Sequence, residues 1–283
     1  MGVVFACIAP HAGETIQELA GNMFGAFAET RKSMLDLADL MHTQELGTIV
    51  VATPHNLRLE ATIGVITSEY TEGTLTENDK EVKLRCKCDP QLAKGILQNA
   101  KKSTLPVVGA NFGTNEGPSS CMPMDWGALI PLWFFTRQGD ENLQVLLVTP
   151  SREIPLQKLV DFGHVIAETA ESSRRRVAFV ASADQGHAHD PNGPYGFNPA
   201  SEEFDEAVKE AVTKNDLRPL LDLPLQFVED AKPDSLWQLA ILQGVLESVP
   251  MKAHLLSYQV PTYFGMLCAA YLPSDKQSNN KTG

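Results

Sequence analysis

The sequence predicts an α/β fold with a mixed, largely parallel central sheet covered by helices on both faces. Three observations predict it: apolar, β-branched runs recur along the whole chain, amphipathic helical patterns lie between many of them, and most of the runs are nearly continuous. Strands buried on both faces read this way, whereas a strand with one wet face alternates apolar with polar residues. At 283 residues the chain is long enough to bury a core that needs no covalent staples.

Taken in order, strand-like runs fall at residues 3–10, 48–55, 64–70, 82–88, 106–112, 143–150, 177–182 and 255–260. The run at 82–88 differs from the rest. There Val82, Leu84, Cys86 and Cys88 alternate with Lys83, Arg85 and Lys87, the pattern of a half-exposed edge strand or hairpin arm. Helical patterns with apolar residues three and four apart occupy 21–42, 89–102, 155–173, 201–215 and 235–249. No internal repeat spans the chain, so one domain is expected over residues 1–273, with a disordered polar tail over 274–283.

Composition narrows the function. Lys and Arg total 23 against 35 for Asp and Glu, a formal charge of -12, so the phosphate neutralisation behind nucleic-acid binding is not supplied. The basic cluster Arg174–Arg176 reads as a solvated helix end. Cys7, Cys86, Cys88, Cys121 and Cys268 form no CxxC pair and no Cys/His zinc spacing, and read as reduced core thiols. The chain begins directly with a strand, and no apolar run approaches the roughly 20 residues of a membrane helix, so a cytoplasmic protein with no membrane partner is expected.

Two histidines stand out. "VVFACIAPHAG" and "TIVVATPHN" each end an apolar run with Pro-His, at His11 and His55. Proline ends a ladder and restricts the backbone that follows. If the two strands are neighbours, both imidazoles project into one crevice and could share a metal; each histidine could instead simply cap its strand. In open α/β sheets ligands bind beyond the carboxyl ends of strands, which also directs attention to two turn-rich loops, residues 111–127 and 181–199. The second delivers His187 and His189, residue types able to carry protons or bind metal near neutral pH.

Together "IAPHAG", "VVATPHN", "SADQGHAHDPNGPYGF" and "VPTYFGMLCAAYL" resemble the class III (LigB-type) extradiol ring-cleavage dioxygenases, in the family's order and strand contexts. The resemblance implies a mononuclear non-haem Fe(II) held by two histidines and one carboxylate. On that pattern His11 and His55 match the iron histidines and His187 the acid/base histidine, while His189 would orient it or meet the substrate. The carboxylate position, a glutamate in the family, falls at Asp234, with Glu229 and Asp230 as neighbouring alternatives; Asp234 would also suit the N-cap of the following helix. Where relatives read "DHG" with a histidine near the substrate, this chain reads "DWG", so Trp126 would wall the substrate pocket and favour a ring whose facing edge is apolar.

The implied reaction is extradiol cleavage of a catechol-type or 2-aminophenol-type ring with insertion of both atoms of O2, and the implied partners are the aromatic ring and O2. A small second subunit or a homo-oligomer belongs to the same family pattern. Two other readings use the same residues: a catalytically inactive, Memo-like binding protein, and a Zn-dependent hydrolase.

Overall fold

In the computed structural model, which describes residues 1–137 and 142–273, the elements alternate as the runs suggest. The first half contains β1 (Gly2–Ala9), α1 (Ala28–His42), β2 (Thr48–Ala52), β3 (Ile63–Ile66), β4 (Tyr70–Glu77), β5 (Lys80–Lys87), α2 (Pro90–Lys102), β6 (Val107–Ala110), β7 (Cys121–Pro123) and α3 (Trp126–Phe135). The second contains β8 (Gln144–Thr149), α4 (Leu156–Ser173), β9 (Arg176–Ser182), α5 (Ala200–Thr213), α6 (Leu225–Ala231), α7 (Leu236–Ser248), β10 (Met251–Gln259) and β11 (Met266–Pro273). The tail expected over 274–283 lies outside the described residues.

Eight strands form one sheet in the order β10-β11-β1-β9-β2-β8-β3-β6. Its centre, β1-β9-β2-β8, is parallel throughout, and antiparallel pairings begin at β11 on one side and β3 on the other. Successive residues of the central strands enter opposite cores. Val50, Ala52, Leu146, Val148, Phe179 and Ala181 pack under α2, α4, α5 and α7, while Ile49, Val51, Val145, Leu147, Ala178 and Val180 pack under α1 and α3. Burial on both faces is why these strands read as continuous apolar runs. The alternating 82–88 segment is the β5 arm of a hairpin, at the edge of a separate three-stranded sheet ordered β5-β4-β7.

Some boundaries differ from the sequence expectation. The helix expected from residue 21 starts at Ala28, because Gly21 takes a positive φ of 51° in a short 3-10 turn. The helix α3 carries Pro131 in its interior, and the strand β11 follows the "PTYFG" turn; neither was expected as an element. The cysteines are free thiols, buried except for half-buried Cys121. Among the described residues no helix is long and apolar enough to cross a membrane.

One crossing positions the site. Helices α4 and α7 meet at Gly163 and Gly244, where an added Cβ would lie 2.1 Å from the Ile241 carbonyl oxygen and 1.9 Å from the Val160 carbonyl oxygen. Only glycine permits that approach, and α7 begins two residues after Asp234. Gly244→Ala is therefore expected to destabilise the protein by about 1–3 kcal/mol, the usual range for overpacking, seen as a lower urea midpoint. An unchanged midpoint would show that the helices separate at little cost.

Candidate metal centre

The loops beyond the carboxyl ends of the parallel strands converge. Pro10 ends β1 and is followed by His11; Pro54 and His55 follow β2; Asp184 follows β9 by two residues. Asp234 arrives from the turn between α6 and α7. His11 Nε2 lies 3.1 Å from His55 Nε2 and 3.2 Å from Asp234 Oδ2, and His55 Nε2 lies 3.2 Å from the same oxygen. The three ligand atoms thus form a nearly equilateral triangle, and they are the group of metal-ligating atoms found among the described residues. Metal–ligand bonds of about 2.0–2.2 Å place adjacent octahedral ligands about 3 Å apart, so the triangle fits one face of a metal's coordination shell.

The orientation of His11 follows from covalent structure. Pro131 has no N–H, so within α3 it leaves the carbonyl of Gly127, four residues earlier, without its helical donor. Buried Ser182 supplies that donor: its hydroxyl donates to Gly127 O. With its one proton used, Ser182 Oγ accepts from His11 Nδ1–H at 3.0 Å, which turns Nε2 toward the triangle. On the neighbouring loop, Asp125 caps α3 through Ala128 N–H and accepts hydrogen bonds from Thr53 and Asn56, which tie the His55 loop to the start of α3. Trp126, at the first position of α3, stacks on His55 with centroids 4.1 Å apart.

Asp234 does not cap α7. Ser235 holds the N-cap place without a side-chain bond, and Asp234 Oδ1 instead accepts from Asp184 N–H at 3.0 Å. The Asp184 carboxylate in turn accepts from His11 N–H at 3.1 Å, and its other oxygen lies 3.3 Å from His11 Nε2. Burial by itself lowers the pKa of His11, but Asp184 and Asp234 outweigh it and raise the imidazole to about 9. Burial, reinforced by Asp234, pushes Asp184 up to about 7 against the pull of His11. Burial also opposes ionisation of Asp234, yet the charge and hydrogen bonds of His11 and His55 hold it well below the usual carboxylate range. An ionised carboxylate between two imidazoles is what a divalent cation requires.

His187 stands beside this group, its Nε2 4.0 Å from Asp234 Oδ2. Its Nδ1–H donates to Gln185 O at 2.7 Å, which leaves Nε2 unprotonated in the neutral ring. Burial holds this imidazole below its ordinary pKa. Phe264 stacks on it at 5.2 Å, and the rings of Tyr195 and Tyr263 approach to 6.0 Å.

His189 turns elsewhere. Its Nε2 lies 2.9 Å from Asp205 Oδ2, it does not line the cleft, and Asp205 also accepts from Tyr258 OH and Gly186 N–H, each at 2.7 Å. Fully buried Asp205 thereby anchors the loop carrying Asp184 and His187. Glu229 lines the cleft without entering the triangle, and Asp230 accepts from Gln226 Nε2 at 3.1 Å. Sequence reasoning missed Ser182, Asp184 and Asp125; the available signal for Asp184 was its place just beyond a strand, within the quoted "SADQGH".

The triangle opens into a cleft of about 970 Å³. Trp126, 48 % exposed, forms part of its wall, and Glu14 and Glu77 supply acidic groups, with burial and Glu14 raising Glu77 to about 7. Arg58, Arg152 and Lys232 supply basic ones.

The chain is similar to known proteins. Protein CA_C1420 of Clostridium acetobutylicum is 24% identical over 251 residues, covering 88% of this chain and 53% of that protein, so the chain spans about half the length of this relative. The crystal structure of uncharacterized protein JW3007 from Escherichia coli K12 superposes with a TM-score of 0.58 at 17% identity, covering 94% of this chain and 99% of that one, a likeness of fold. The family model described as the catalytic LigB subunit of aromatic ring-opening dioxygenase matches residues 6–267. That span runs from within β1 into β11 and encloses His11, His55, His187 and Asp234, and on its strength the chain belongs to the LigB family of aromatic ring-opening dioxygenase catalytic subunits.

Proposed function

We propose that the protein is a non-haem Fe(II)-dependent extradiol dioxygenase acting on a catechol-type or 2-aminophenol-type ring, with His11, His55 and Asp234 as the iron ligands. The observation that carries this reading is the triangle of donor atoms 3.1–3.2 Å apart at the floor of an open cleft, with an unprotonated imidazole nitrogen beside it. His11, His55 and Asp234 would hold Fe(II), which when bound would supply a Lewis acid and a path for electrons from ring to dioxygen.

The chain's own groups do the rest. His187 takes the proton of a ring hydroxyl at Nε2 and later returns one, while the Gln185 carbonyl holds Nδ1 and keeps the ring in register. Burial keeps the imidazole neutral near pH 7, the form a base requires. Phe264 and Tyr263 limit water around it. Trp126 braces His55 and presents an indole face to the ring, and His189 acts through Asp205 by positioning the His187 loop.

Oxygen uptake after anaerobic iron loading, with a panel of catechols and aminophenols, tests the reading. Consumption with release of a ring-opened product supports it. Bound metal without uptake would favour a binding protein of the same fold, and zinc-dependent hydrolysis would favour the hydrolase.

His11→Ala, His55→Ala and Asp234→Ala are each expected to lose tight iron binding in metal analysis, and iron retained by Asp234→Ala would remove it from the ligand set. His187→Gln is expected to keep iron while turnover falls about 10²- to 10⁴-fold, the usual contribution of a positioned proton carrier; iron loss would make His187 a ligand. Ser182→Ala frees His11 to turn and should weaken metal affinity about 10- to 100-fold. Pro131→Ala, which gives Gly127 O a competing helical donor, should shift affinity in the same direction. Without metal, His11 is raised to about 9 and is charged at pH 7. Metal binding at pH 7 must therefore release that proton, and affinity should rise with pH until about 9, measured by calorimetry in buffers of different ionisation enthalpy. A pH-independent affinity would contradict this.

A further inference from the structure

A ring diol brings two protons to the cleft, and His187 can carry one of them. Both hydroxyls lose their protons when the two oxygens meet a divalent cation. His187 has a single unprotonated nitrogen, Nε2, to receive them. Cleavage breaks one ring C–C bond and forms two bonds from carbon to the oxygens of dioxygen, the ring losing four electrons and dioxygen gaining them. The opened chain takes back one proton at its carbonyl or enol end, while its new carboxylic acid stays ionised near pH 7. One proton therefore returns and one leaves to water.

The small sheet places a carboxyl for that second proton. Strands β4 and β5 pair in register up to Glu77 opposite Lys80, and the turn between them, Asn78 and Asp79, takes positive φ values of 49° and 57°, the geometry of a tight hairpin. Val82, Cys86 and Met122 anchor this sheet in the core beneath α1 and α3. Its tip docks on the loop between β1 and α1. Asn78 Nδ2–H donates to Leu19 O at 2.7 Å, and the Asn78 amide fills the space a Cβ at Gly21 would need. The Glu77 carboxyl fills the matching space at Gly13, two residues beyond His11, and lines the metal cleft. Two glycines thus admit two consecutive polar side chains of the hairpin tip.

Among the described residues the Glu77 carboxyl has no hydrogen bond or ion pair, including with Lys80, its register partner. Glu14 faces it from the loop between β1 and α1, and burial together with that like charge raises it to about 7. The other charged groups of the cleft, Arg58, Arg152, Asp184, Glu229 and Lys232, come from other elements. A half-buried carboxyl with no protein partner can take a proton from a ligand in the cleft and give it up to water at the mouth.

We propose that Glu77 is a second proton carrier of the cleft, which takes one of the two protons shed by a ring diol and releases it to water with the product, while His187 takes the other and returns it. The proposal rests on the ring-cleavage reading for the identity of the diol. While the ring is bound, the protonated Glu77 carboxyl donates toward the anionic ring oxygen, which keeps its proton in place.

The test counts protons. Catechol is bound anaerobically to the iron-loaded protein, and proton release is measured by calorimetry in buffers of different ionisation enthalpy. At pH 8 Glu77 is ionised before the ring arrives and takes up one proton, so the wild type should release close to none; at pH 6 Glu77 is already protonated, and about one proton should be released. Glu77→Gln has no group to titrate there and should keep its iron while releasing about one proton at both pH values, which also separates Glu77 from Asp184, the other carboxyl raised to about 7. In turnover, wild-type kcat/KM should rise with pH through about 7, and Glu77→Gln should lose that limb with a fall of about 10²-fold at pH 8. Glu14→Gln removes the like charge and should move the limb to lower pH. Wild-type release that is equal at pH 6 and pH 8 would overturn the proposal without any variant having to fold. Equal release from the wild type and Glu77→Gln at pH 8 would overturn it too. Ring binding with the expected proton counts but no oxygen uptake would keep Glu77 as the proton acceptor and overturn ring cleavage. Oxygen uptake with the same proton counts in both proteins would do the reverse.

Discussion

The hydrogen bond from the Ser182 hydroxyl to the Gly127 carbonyl is the contact on which the candidate metal centre depends. It exists because Pro131 cannot donate inside α3, which leaves a buried carbonyl that must find another partner. Once Ser182 has given its proton there, it can only accept from His11 Nδ1, and His11 Nε2 is directed at His55 and Asp234. A missing helix donor on one element thus fixes a ring orientation on another. The sheet makes the transfer possible: Ser182 and Ala9 are register partners at the ends of β9 and β1, so the orienting hydroxyl and the histidine loop leave the sheet together.

The residues divide by exposure into a rigid floor and an accessible wall. The side chains of His11, Asp184 and Asp234 are 2%, 4% and 7% exposed and are joined by backbone as well as side-chain bonds, so the triangle is formed before any ligand arrives. Breaking one member of such a buried charged set strands its partners, at a cost of about 3–5 kcal/mol. Trp126, Tyr195, Arg58 and Arg152 lie at the accessible level, with fewer partners. Such a division lets the floor keep one geometry while the wall selects which ligand it receives.

The sequence is legible wherever a residue's role is tied to the strand that precedes it. His11, His55 and the His187 loop could be placed in one crevice because Pro-His and turn-rich segments mark the carboxyl ends of buried strands. Asp234 was reachable only through family resemblance, since the Pro-Asp-Ser before an apolar helix looks equally like a cap; its carboxylate went to Asp184 N–H and the imidazoles instead. The helix α3 escaped notice because it is apolar on nearly every side and contains a proline, so neither amphipathic periodicity nor helix propensity marks it. Arg58 and Arg152, separated by 94 positions along the chain, line one cleft because β2 lies beside β8, and strand order is not written in local pattern.

Isotopic labelling is the most direct measurement of the central claim. The iron-loaded protein is turned over under isotopically labelled dioxygen with the ring substrate that gives the fastest uptake, and the product is weighed by mass spectrometry. Both oxygen atoms of one dioxygen molecule should appear in a ring-opened product, and the His55→Ala protein, lacking iron, should give none. An intact ring, or a product whose new oxygen comes from water, would contradict a ring-opening dioxygenase built on His11, His55 and Asp234.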